Sequence, residues 1–359
     1  MTAERPGNDR LWEGIYAFYS YEFQKSVAIL TEVKSNHPEH PTVHFTWAVA
    51  KWLRAQAYDG IEASYDTLLT ALDTIVPTYE TYVETFPEEP QYRLYFAAAK
   101  GLKARVHLGK KEWVGVVMEG IKGYGGVRSL YREHPEIYDT YFPMGILNFY
   151  AGNMSGFVRF ISSFLGIEPD KELGLELMTT TAEKGEFAWI EASQILVYIY
   201  LWIEVNYDKA LAISERLVER LPSSIYNQHL LTESLISHNR LNEAEEVLER
   251  TRAMADETPP VSRKGWLPTL KYQEALLAFY REDYEKAHRL VTQSIDEFNT
   301  ELDTPLGYSY LLRGMINDLR GERREAVDDY RSAILLDNYT SAVREARGYL
   351  RRPYTLSVQ

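Results

Sequence analysis

The chain has 359 residues, with 39 Lys and Arg against 52 Asp and Glu, so its formal net charge is −13. This acidic balance disfavours a nucleic-acid-binding surface, which would carry an excess of positive charge. The absence of cysteine excludes disulfides, thiolate metal sites and cysteine nucleophiles. The length allows either two compact domains or one extended repeat array.

The N-terminal region is predicted to consist of a flexible segment, residues 1–9, followed by helical hairpins over residues 10–135. The first hairpin carries the small residues Gly14 and Ser26, where two helices can approach each other closely. Longer helices are then predicted at residues 41–57, 61–76, 78–86, 90–108 and 111–133. Pro77 is predicted to kink or split the second of these, because a proline inside a helix lacks the backbone donor.

The region from residue 186 to residue 350 repeats one pattern more regularly. Each copy has a short polar turn, then an alanine, then an apolar helical stripe. The alanines of the four copies are Ala210, Ala244, Ala287 and Ala326. Their separations of 34, 43 and 39 residues indicate hairpins of similar size with loop insertions. We expect these alanines, like Gly14 and Gly314 on the first helices of hairpins, to allow close helix packing.

Residues 10–38 and 190–337 resemble tetratricopeptide repeats, whose period equals the first of these separations. The resemblance implies a right-handed superhelix of antiparallel helical hairpins. Strand alternation is not found, so an all-α fold without a β-sheet is predicted. Because stacked hairpins bury one another's apolar faces, we predict a single solenoid over residues 10–350, with a C-terminal tail at 351–359.

The central segment, residues 136–185, is more apolar than the repeats around it. Its informative positions are Gly145, Leu147, Phe149, Ser155, Phe160, Leu165, Gly166, Ile167, Asp170, Gly174 and Leu175. On these residues it resembles the tetratricopeptide repeat protein thirty-nine family and its fungal inclusion-body clearance relative. The resemblance implies a helical, non-enzymatic protein linked to neutral-lipid and aggregate handling, and it implies no catalytic residues. Residues 142–167 are then either a ligand site or buried core.

Two sequence features resemble ligand sites but have simpler interpretations. His37, His40 and His44 could bind a metal ion, but the neighbouring prolines predict a solvated loop. A glycine-rich run resembles a phosphate loop, with Gly120, Gly123, Gly125 and Gly126. No strand precedes it, so a flexible helix–helix turn or a helix C-cap is predicted. We therefore predict no metal site and no cofactor.

Two groups of charged residues could form a catalytic or a binding site. The carboxylates in question are Glu186, Glu191, Glu204, Glu233, Glu243, Glu245 and Glu246. A pair of them among aromatic rings could serve a helical-toroid hydrolase, but an acidic solvated face is predicted. The arginines Arg344, Arg347, Arg351 and Arg352 suit a helix C-terminus, with an acidic partner or anionic lipid as the alternative. No catalytic residue is predicted.

Tyrosine is abundant, with 27 residues, and most are predicted to fill the space between helices. A minority on the first helices of hairpins are predicted to line a concave groove. The predicted binding residues are Tyr226, His229, Glu233, Tyr272, Phe279, Tyr308 and Met315. Exposed aromatics with few charges suit an extended or helical peptide whose anchor side chains insert between the rings.

These observations predict a non-enzymatic scaffold for a protein or peptide ligand. The alternatives are a protein that handles a lipid or another small ligand, with a membrane-associated partner, and a helical-toroid hydrolase. The longest apolar run, residues 195–203, is shorter than the ~20 residues of a membrane-spanning helix. We therefore predict no integral membrane segment and a cytoplasmic location, or an exported one if a signal peptide was removed. The partner and the oligomeric state stay open.

Overall fold

The computed structural model describes residues 5–110, 112–153, 169–300 and 302–356. All regular elements in these ranges are helices, and no strand occurs in them, which confirms the all-α class. The chain forms two compact units, residues 1–193 and residues 194–359. Within each unit, most successive helices pack against each other as hairpins of tetratricopeptide type, and hairpins stack on their neighbours. The continuity of one solenoid over residues 10–350 stays a prediction.

The first unit begins with α1, which starts inside the segment predicted to be flexible. Its helices are α1 (Asn8–Tyr19), α2 (Phe23–Asn36), α3 (Val43–Asp59), α4 (Ile61–Thr85), α5 (Pro90–Gly109), α6 (Trp113–Glu133), α7 (Tyr141–Asn153) and α8 (Lys171–Lys184). A short 3-10 helix (Tyr138–Thr140) precedes α7. The predicted helix boundaries agree within a few residues.

The predicted split of the helix at Pro77 is wrong, since α4 runs through this residue, whereas the predicted kink stays a prediction. Ile75 and Tyr79 on either side of it are completely buried. The Tyr79 hydroxyl donates to the Pro41 carbonyl at 2.6 Å. Packing along the whole helix therefore outweighs the loss of one backbone hydrogen bond at the proline.

The chain continues with α9, whose residues from Gln194 onward belong to the second unit. The helices are α9 (Trp189–Trp202), α10 (Tyr207–Arg220), α11 (Ile225–Ser237), α12 (Leu241–Asp256), α13 (Pro260–Tyr280), α14 (Tyr284–Asp296), α15 (Thr304–Leu319), α16 (Arg323–Leu335) and α17 (Ser341–Arg351). Alternate helices α11, α13, α15 and α17 also contact one another in series, and they form one layer of the stack.

One turn geometry recurs between the two helices of a hairpin. A residue with positive φ lies two positions before the second helix, and these residues are Tyr21, Val205, Asn239, Glu282 and Gly321. In the third of these turns, Arg240 N donates to Leu235 O at 2.9 Å, a bond typical of a Schellman helix ending. The same small-residue position follows each turn, occupied by Ser26, Ala210, Ala244, Ala287 and Ala326, all completely buried. The repeat predicted from the alanines is confirmed.

The predicted close approach at Gly14 and Gly314 is also confirmed. A Cβ atom at Gly14 would lie 2.7 Å from the Leu30 side chain, and one at Gly314 would lie 2.6 Å from the Tyr330 ring. The Ser26 hydroxyl donates to the Gly14 carbonyl at 2.8 Å. Each glycine therefore leaves space that the second helix of its hairpin fills.

The glycine-rich segment has a different role from the one predicted. It lies inside α6, so the predicted turn or C-cap is wrong. A Cβ atom at Gly123 would lie 3.0 Å from the backbone of Ala97 and of Gly101, and one at Gly126 would lie 2.9 Å from the Ala97 Cβ atom. These glycines let α5 and α6 pack with their backbones close together, at a helix-propensity cost of about 1 kcal/mol each.

The central segment is described only in part. Ser155, Phe160, Leu165, Gly166 and Ile167, which contribute to the family resemblance, lie outside the described residues. In the described part, Met144, Phe149 and Ala151 are buried, as expected for core. α7 and α8 cross at two glycines. A Cβ atom at Gly174 would lie 2.8 Å from the Gly145 carbonyl oxygen and 2.6 Å from Phe149 N.

Candidate functional site

The predicted groove residues lie on α11, α13 and α15 of the second unit. His229, Glu233, Tyr272 and Phe279 are buried, so the exposure that we predicted for them is wrong. Tyr226, Tyr308 and Met315 are half-buried. The second unit covers this inner face with its own side chains. Contact of any of these residues with a ligand is untested and stays a prediction.

The inner face is covered because late helices of the unit reach back to its first one. The Tyr308 hydroxyl on α15 lies 3.3 Å from the Trp202 carbonyl at the end of α9 and can donate to it. Arg344 on α17 donates from Nη2 to the Ile203 carbonyl at 2.7 Å. These partners are 106 and 141 residues apart in sequence, so no local pattern predicts them. Side chains of α15 and α17 therefore bridge to the end of α9 within this unit.

A carboxylate, Glu233, lies in the interior of this face with only 3% of its surface exposed. Its Oε1 atom accepts from Trp202 Nε1 at 3.3 Å and from the Tyr272 hydroxyl at 3.1 Å, and its Oε2 atom accepts from Gln273 Nε2 at 3.1 Å. Burial raises the pKa of Glu233, and these three hydrogen bonds only partly offset that effect. This is a correction to the solvated acidic face predicted for Glu233.

His229 lies beside this carboxylate in an aromatic environment. Its ring stacks on Trp202 at a centroid distance of 5.8 Å, and its backbone carbonyl accepts from Gln273 Nε2 at 2.9 Å. Burial lowers the pKa of His229 to about 4, so the ring is neutral at pH 7. Glu233 is therefore surrounded by neutral groups only.

The exposed aromatic residues of the unit are ones that we did not predict as a site. Tyr207, the first residue of α10, is 37% exposed, and Tyr280, the last residue of α13, is 49% exposed. Burial nevertheless raises the pKa of both, to about 12 for Tyr207. The negative charges of Glu345 and Glu233 raise the pKa of both hydroxyls further. Each of these two tyrosines therefore combines an exposed ring with a hydroxyl group that is less solvated than the ring.

We call this site the tyrosine–glutamate recess and define it by Tyr207, Tyr280, Tyr308, Glu233 and Glu345. The Tyr308 hydroxyl hydrogen-bonds the Ser341 hydroxyl at 2.5 Å, one helical turn before Glu345. The charges of Glu345 and Glu233 also raise the pKa of Tyr308, after the larger effect of burial. Three tyrosines and two carboxylates thus act on one another. Tyr207 and Tyr280 lie at helix ends beside hairpin turns, where stripe periodicity stops, whereas Tyr308, Glu233 and Glu345 lie inside their helices.

The two carboxylates of the recess have no ion pair within the described ranges. Burial raises the pKa of Glu345, which is half-buried, and the Ser341 hydroxyl and the Arg344 charge offset this only in part. By contrast, the buried Asp329 of the same unit pairs with Arg313 at 2.7 Å. The recess therefore combines aromatic surface with negative charge that the unit does not neutralise.

We expect Glu233→Gln to gain stability relative to the unchanged protein as pH rises. The amide keeps an oxygen for Trp202 and Tyr272 and removes the buried charge. The folded pKa of Glu233 lies above the usual 4.5, so the stability it contributes is present below that value and is lost as pH rises through the folded pKa. The difference in unfolding free energy should grow by about 1.4 kcal/mol for each unit of pKa elevation.

Urea unfolding of both proteins between pH 4.5 and pH 8 measures this difference. His229, with its pKa of about 4, is neutral in this range in both proteins. A difference that stays constant across the range would contradict the assigned charge state of Glu233.

The first unit contains a pocket of about 400 Å³, lined by residues of α1, of α2 and of the turn between them. Its lining residues are Asp9, Trp12, Glu13, Tyr16, Ala17, Ser20, Glu22 and Lys25. Trp12 stacks between Tyr16 and Phe187, at 5.3 Å and 4.9 Å. Two of the carboxylates that line the pocket already have a cationic partner, since Glu13 pairs with Arg10 and Glu22 pairs with Lys25. This pocket therefore carries less uncompensated charge than the recess.

The histidine loop differs from the solvated loop that we predicted. His40 and His44 are buried, and His44 Nε2 lies 2.8 Å from the Pro38 carbonyl. Burial lowers the pKa of both, to about 4 for His40. The described residues contain no group of three or more His, Asp or Glu side chains arranged to hold a metal ion. The prolines marked a loop correctly, and Pro38 and Glu39 in it are exposed, but His44 lies on α3 and packs against Tyr79 and Tyr82.

None of the helices in the described part of the chain has both the length and the apolar composition of a membrane span. No protein-family model and no curated protein matches this sequence. The resemblance to the tetratricopeptide repeat protein thirty-nine family therefore stays a prediction.

Solved structures of helical-repeat proteins resemble the chain over most of its length. A tetratricopeptide repeat protein from Parabacteroides merdae shares 12% identity over 96% of this chain and 98% of its own, with a TM-score of 0.36. NprR in complex with its cognate peptide NprX shares 11% sequence identity over 97% of this chain and 82% of its own, with a TM-score of 0.42. Yeast Tom70 shares 10% sequence identity over 94% of this chain and 88% of its own, with a TM-score of 0.41. Similarity at this level carries no information on ligands.

Proposed function

We propose that this chain is a non-enzymatic helical-repeat scaffold that binds a segment of another protein, or a peptide, at the tyrosine–glutamate recess. The observation that carries this proposal is the exposure of the Tyr207 and Tyr280 rings in a unit whose predicted groove residues are buried or half-buried. Tyrosines are frequent anchors at interfaces, because the ring contributes a large contact area and the hydroxyl can hydrogen-bond. Ordered rings of this kind bind with little loss of side-chain entropy.

The groove residues predicted from the sequence keep a supporting role in this proposal. Phe279 packs edge-on against the adjacent Tyr280 ring at 5.8 Å, and Tyr272 packs on Tyr308 at 6.4 Å. In this proposal, the buried Phe279 and Tyr272 support these neighbouring rings. Tyr308 is half-buried, so it packs against Tyr272 and still leaves part of its ring accessible to a partner.

A non-enzymatic role agrees with the burial of Glu233. A carboxylate enclosed by three hydrogen-bond donors cannot reach a substrate, and catalytic carboxylates must act on the reacting bond from both sides. The lipid alternative relied on residues 142–167. The described part of that segment supplies buried core, which favours a structural role there.

The test is selection of a random 12-residue peptide display library on the full chain, followed by affinity measurement with synthetic copies of the selected peptides. We expect Tyr207→Ala with Tyr280→Ala to lower the affinity at least ten-fold, which corresponds to about 1.4 kcal/mol. Tyr58→Ala is the matched control, since Tyr58 is also 37% exposed but lies on α3 of the first unit.

Unfolding curves and circular dichroism of these variants establish that each retains the fold. Unchanged affinity in the double variant, or selection of no peptide at all, would contradict a binding role for the recess.

A further inference from the structure

We propose that the segment after α17, residues 352–356, is a replaceable internal ligand, and that the site it occupies binds an extended segment of another protein with a tyrosine as its anchor. We call this place the Tyr354 site and define it by Phe279, Asp318 and Tyr349, which contact Tyr354. These residues lie on α13, α15 and α17, in the layer that carries the predicted groove residues. Binding there is a second activity, beyond the proposed function.

The contacts of Tyr354 show which groups the site accepts. The Tyr354 backbone N–H donates to Asp318 Oδ2 at 2.7 Å. Its ring lies against Phe279 at a centroid distance of 6.1 Å and against Tyr349 at 5.3 Å. One carboxylate acceptor and two aromatic rings, from three helices, therefore contact a single tyrosine. Phe279 was predicted as a binding residue, and its aromatic neighbour here is a side chain of the same chain.

The acceptor of the site is held in place by other residues of the unit. The Asp318 side chain is 1% exposed and pairs with Arg323 at 3.0 Å. The Tyr330 hydroxyl donates to Asp318 Oδ2 at 2.8 Å. Phe279 also packs against Tyr284 at 5.6 Å. These contacts position both groups when Tyr354 leaves, and because Arg323 already neutralises Asp318, a neutral N–H is a sufficient partner there.

The internal segment is anchored at one residue. Arg352 leaves α17 in an extended conformation, with φ −137° and ψ 123°. Arg352, Pro353, Thr355 and Leu356 are exposed, whereas Tyr354 is half-buried. Release of the segment therefore gives up the ring contacts and one hydrogen bond of Tyr354 while the hairpins stay folded. A segment that supplies the same groups can take its place.

The same contacts define the chemistry of the partner segment. Its anchor needs an aromatic ring, to pack on Phe279 and Tyr349 as Tyr354 does. The anchor also needs a free backbone N–H for Asp318, so the partner is extended there, because a residue inside a helix uses its N–H within the helix. Proline is excluded as the anchor, since it has no N–H. A proline just before the anchor, as at Pro353, favours the extended conformation.

The experiment supplies the segment as a separate peptide. The probe is an acetylated and amidated peptide with the sequence of residues 351–356, whose tyrosine is 3-fluorotyrosine, and fluorine NMR follows its titration with full-length protein. The proteins are the unchanged chain, Tyr354→Ala, and the control Tyr58→Ala, which removes a 37% exposed ring from α3. We expect Tyr354→Ala to bind the probe at least ten-fold more tightly than the other two, because no tethered tyrosine competes.

Unlabelled peptides then compete with the probe for Tyr354→Ala. Replacing the tyrosine of the peptide by alanine removes the ring, and methylating its backbone nitrogen removes the donor to Asp318. Each change should weaken competition at least ten-fold. All peptides keep both arginines, so attraction to the acidic protein affects them equally. Circular dichroism and urea unfolding establish that each variant retains the fold.

Pro353→Gly is the second variant, which serves if Tyr354→Ala does not fold. Pro353 is exposed, and glycine at this position keeps the Tyr354 ring. The released segment gains conformational freedom, which weakens its binding in the internal site. The affinity for the probe should therefore rise about three-fold above that of the unchanged chain.

The outcomes separate this proposal from the scaffold function at the recess. Equal probe affinity for the unchanged chain and for a folded Tyr354→Ala, or for the unchanged chain and Pro353→Gly, would overturn the Tyr354 site. An N-methylated peptide that competes as well as the unmodified one would also overturn it. None of these results affects the recess, whose test uses a random library and the recess variants, and failure of that test leaves the Tyr354 site standing.

Discussion

Replacing Gly174 by alanine is expected to lower the free energy of unfolding by about 3 kcal/mol, the upper range for overpacked sites. A Cβ atom there would lie 2.6 Å from Phe149 N and 2.8 Å from the Gly145 carbonyl oxygen. Both obstacles are backbone atoms of α7, so no side chain can rotate away. α7 and α8 would have to separate, with loss of buried contacts of Leu177 and Met178.

The matched control is Gly120→Ala on α6. A Cβ atom at Gly120 would meet no heavy atom within 4 Å. The alanine should therefore stabilise the protein by about 0.5–1 kcal/mol, through higher helix propensity and a more restricted unfolded chain. Denaturant unfolding followed by circular dichroism measures both variants. Equal effects at the two positions would contradict the close crossing of α7 and α8.

Arg313→Met is expected to destabilise the protein by about 3 kcal/mol, because it leaves the Asp329 carboxylate buried without its cation. Arg313 donates to Asp329 from Nε at 3.0 Å and from Nη2 at 2.7 Å, and Asn317 Nδ2 donates to it at 3.0 Å. The Asp329 side chain is 7% exposed. Burial already raises the pKa of Asp329, and the hydrogen bonds and charge of Arg313 offset that only in part.

The destabilisation by Arg313→Met should depend on pH in a defined direction. Without Arg313, the folded pKa of Asp329 should rise further above its unfolded value. A group with a raised folded pKa contributes stability below its unfolded pKa and loses it as pH rises through the folded pKa. The loss of unfolding free energy caused by Arg313→Met should therefore be largest near neutral pH and should shrink as the solution is acidified.

Two further variants complete the test. Asp329→Asn combined with Arg313→Met removes the stranded charge, and it should restore at least half of the lost stability. Arg331→Met is the surface control, since Arg331 and Asp328 form a pair on α16 whose side chains are 65% and 66% exposed. Its effect should stay below about 0.5 kcal/mol. A loss of unfolding free energy for Arg313→Met that is equally small would show that the Arg313–Asp329 pair is dispensable for stability.

Local patterns in the sequence predicted the helices and the repeat well. Ala244 and Ala287 stand out because hairpin packing needs a small residue at the same place in each copy, and both are completely buried. The predicted role of tyrosine as filler also agrees with Tyr79 and Tyr330, which are completely buried. These properties depend on contacts between neighbouring helices, which helical periodicity encodes directly.

The failures share one cause, which is packing against parts of the chain outside the local window. Pro77 predicted a split, but burial on both sides holds α4 together. The glycines near Gly123 predicted a turn, but α5 needs their missing side chains. His44 predicted a solvated loop, but tyrosines of α4 cover it. In each case the residue type indicated a special local role, but the residues that pack against it in space could not be known from the local sequence.

The candidate site shows the same division most clearly. By itself, the sequence determined that the chain is an acidic, cysteine-free, all-α repeat protein with abundant tyrosine. Only the tertiary structure decided which tyrosines stay open, because Tyr308 and Arg344 reach α9 and its following turn from more than a hundred residues away. Trp202 of α9 and Tyr272 and Gln273 of α13 likewise enclose Glu233. Helical periodicity specifies which face of a helix a residue occupies, whereas contacts between helices distant in sequence decide whether that face remains accessible.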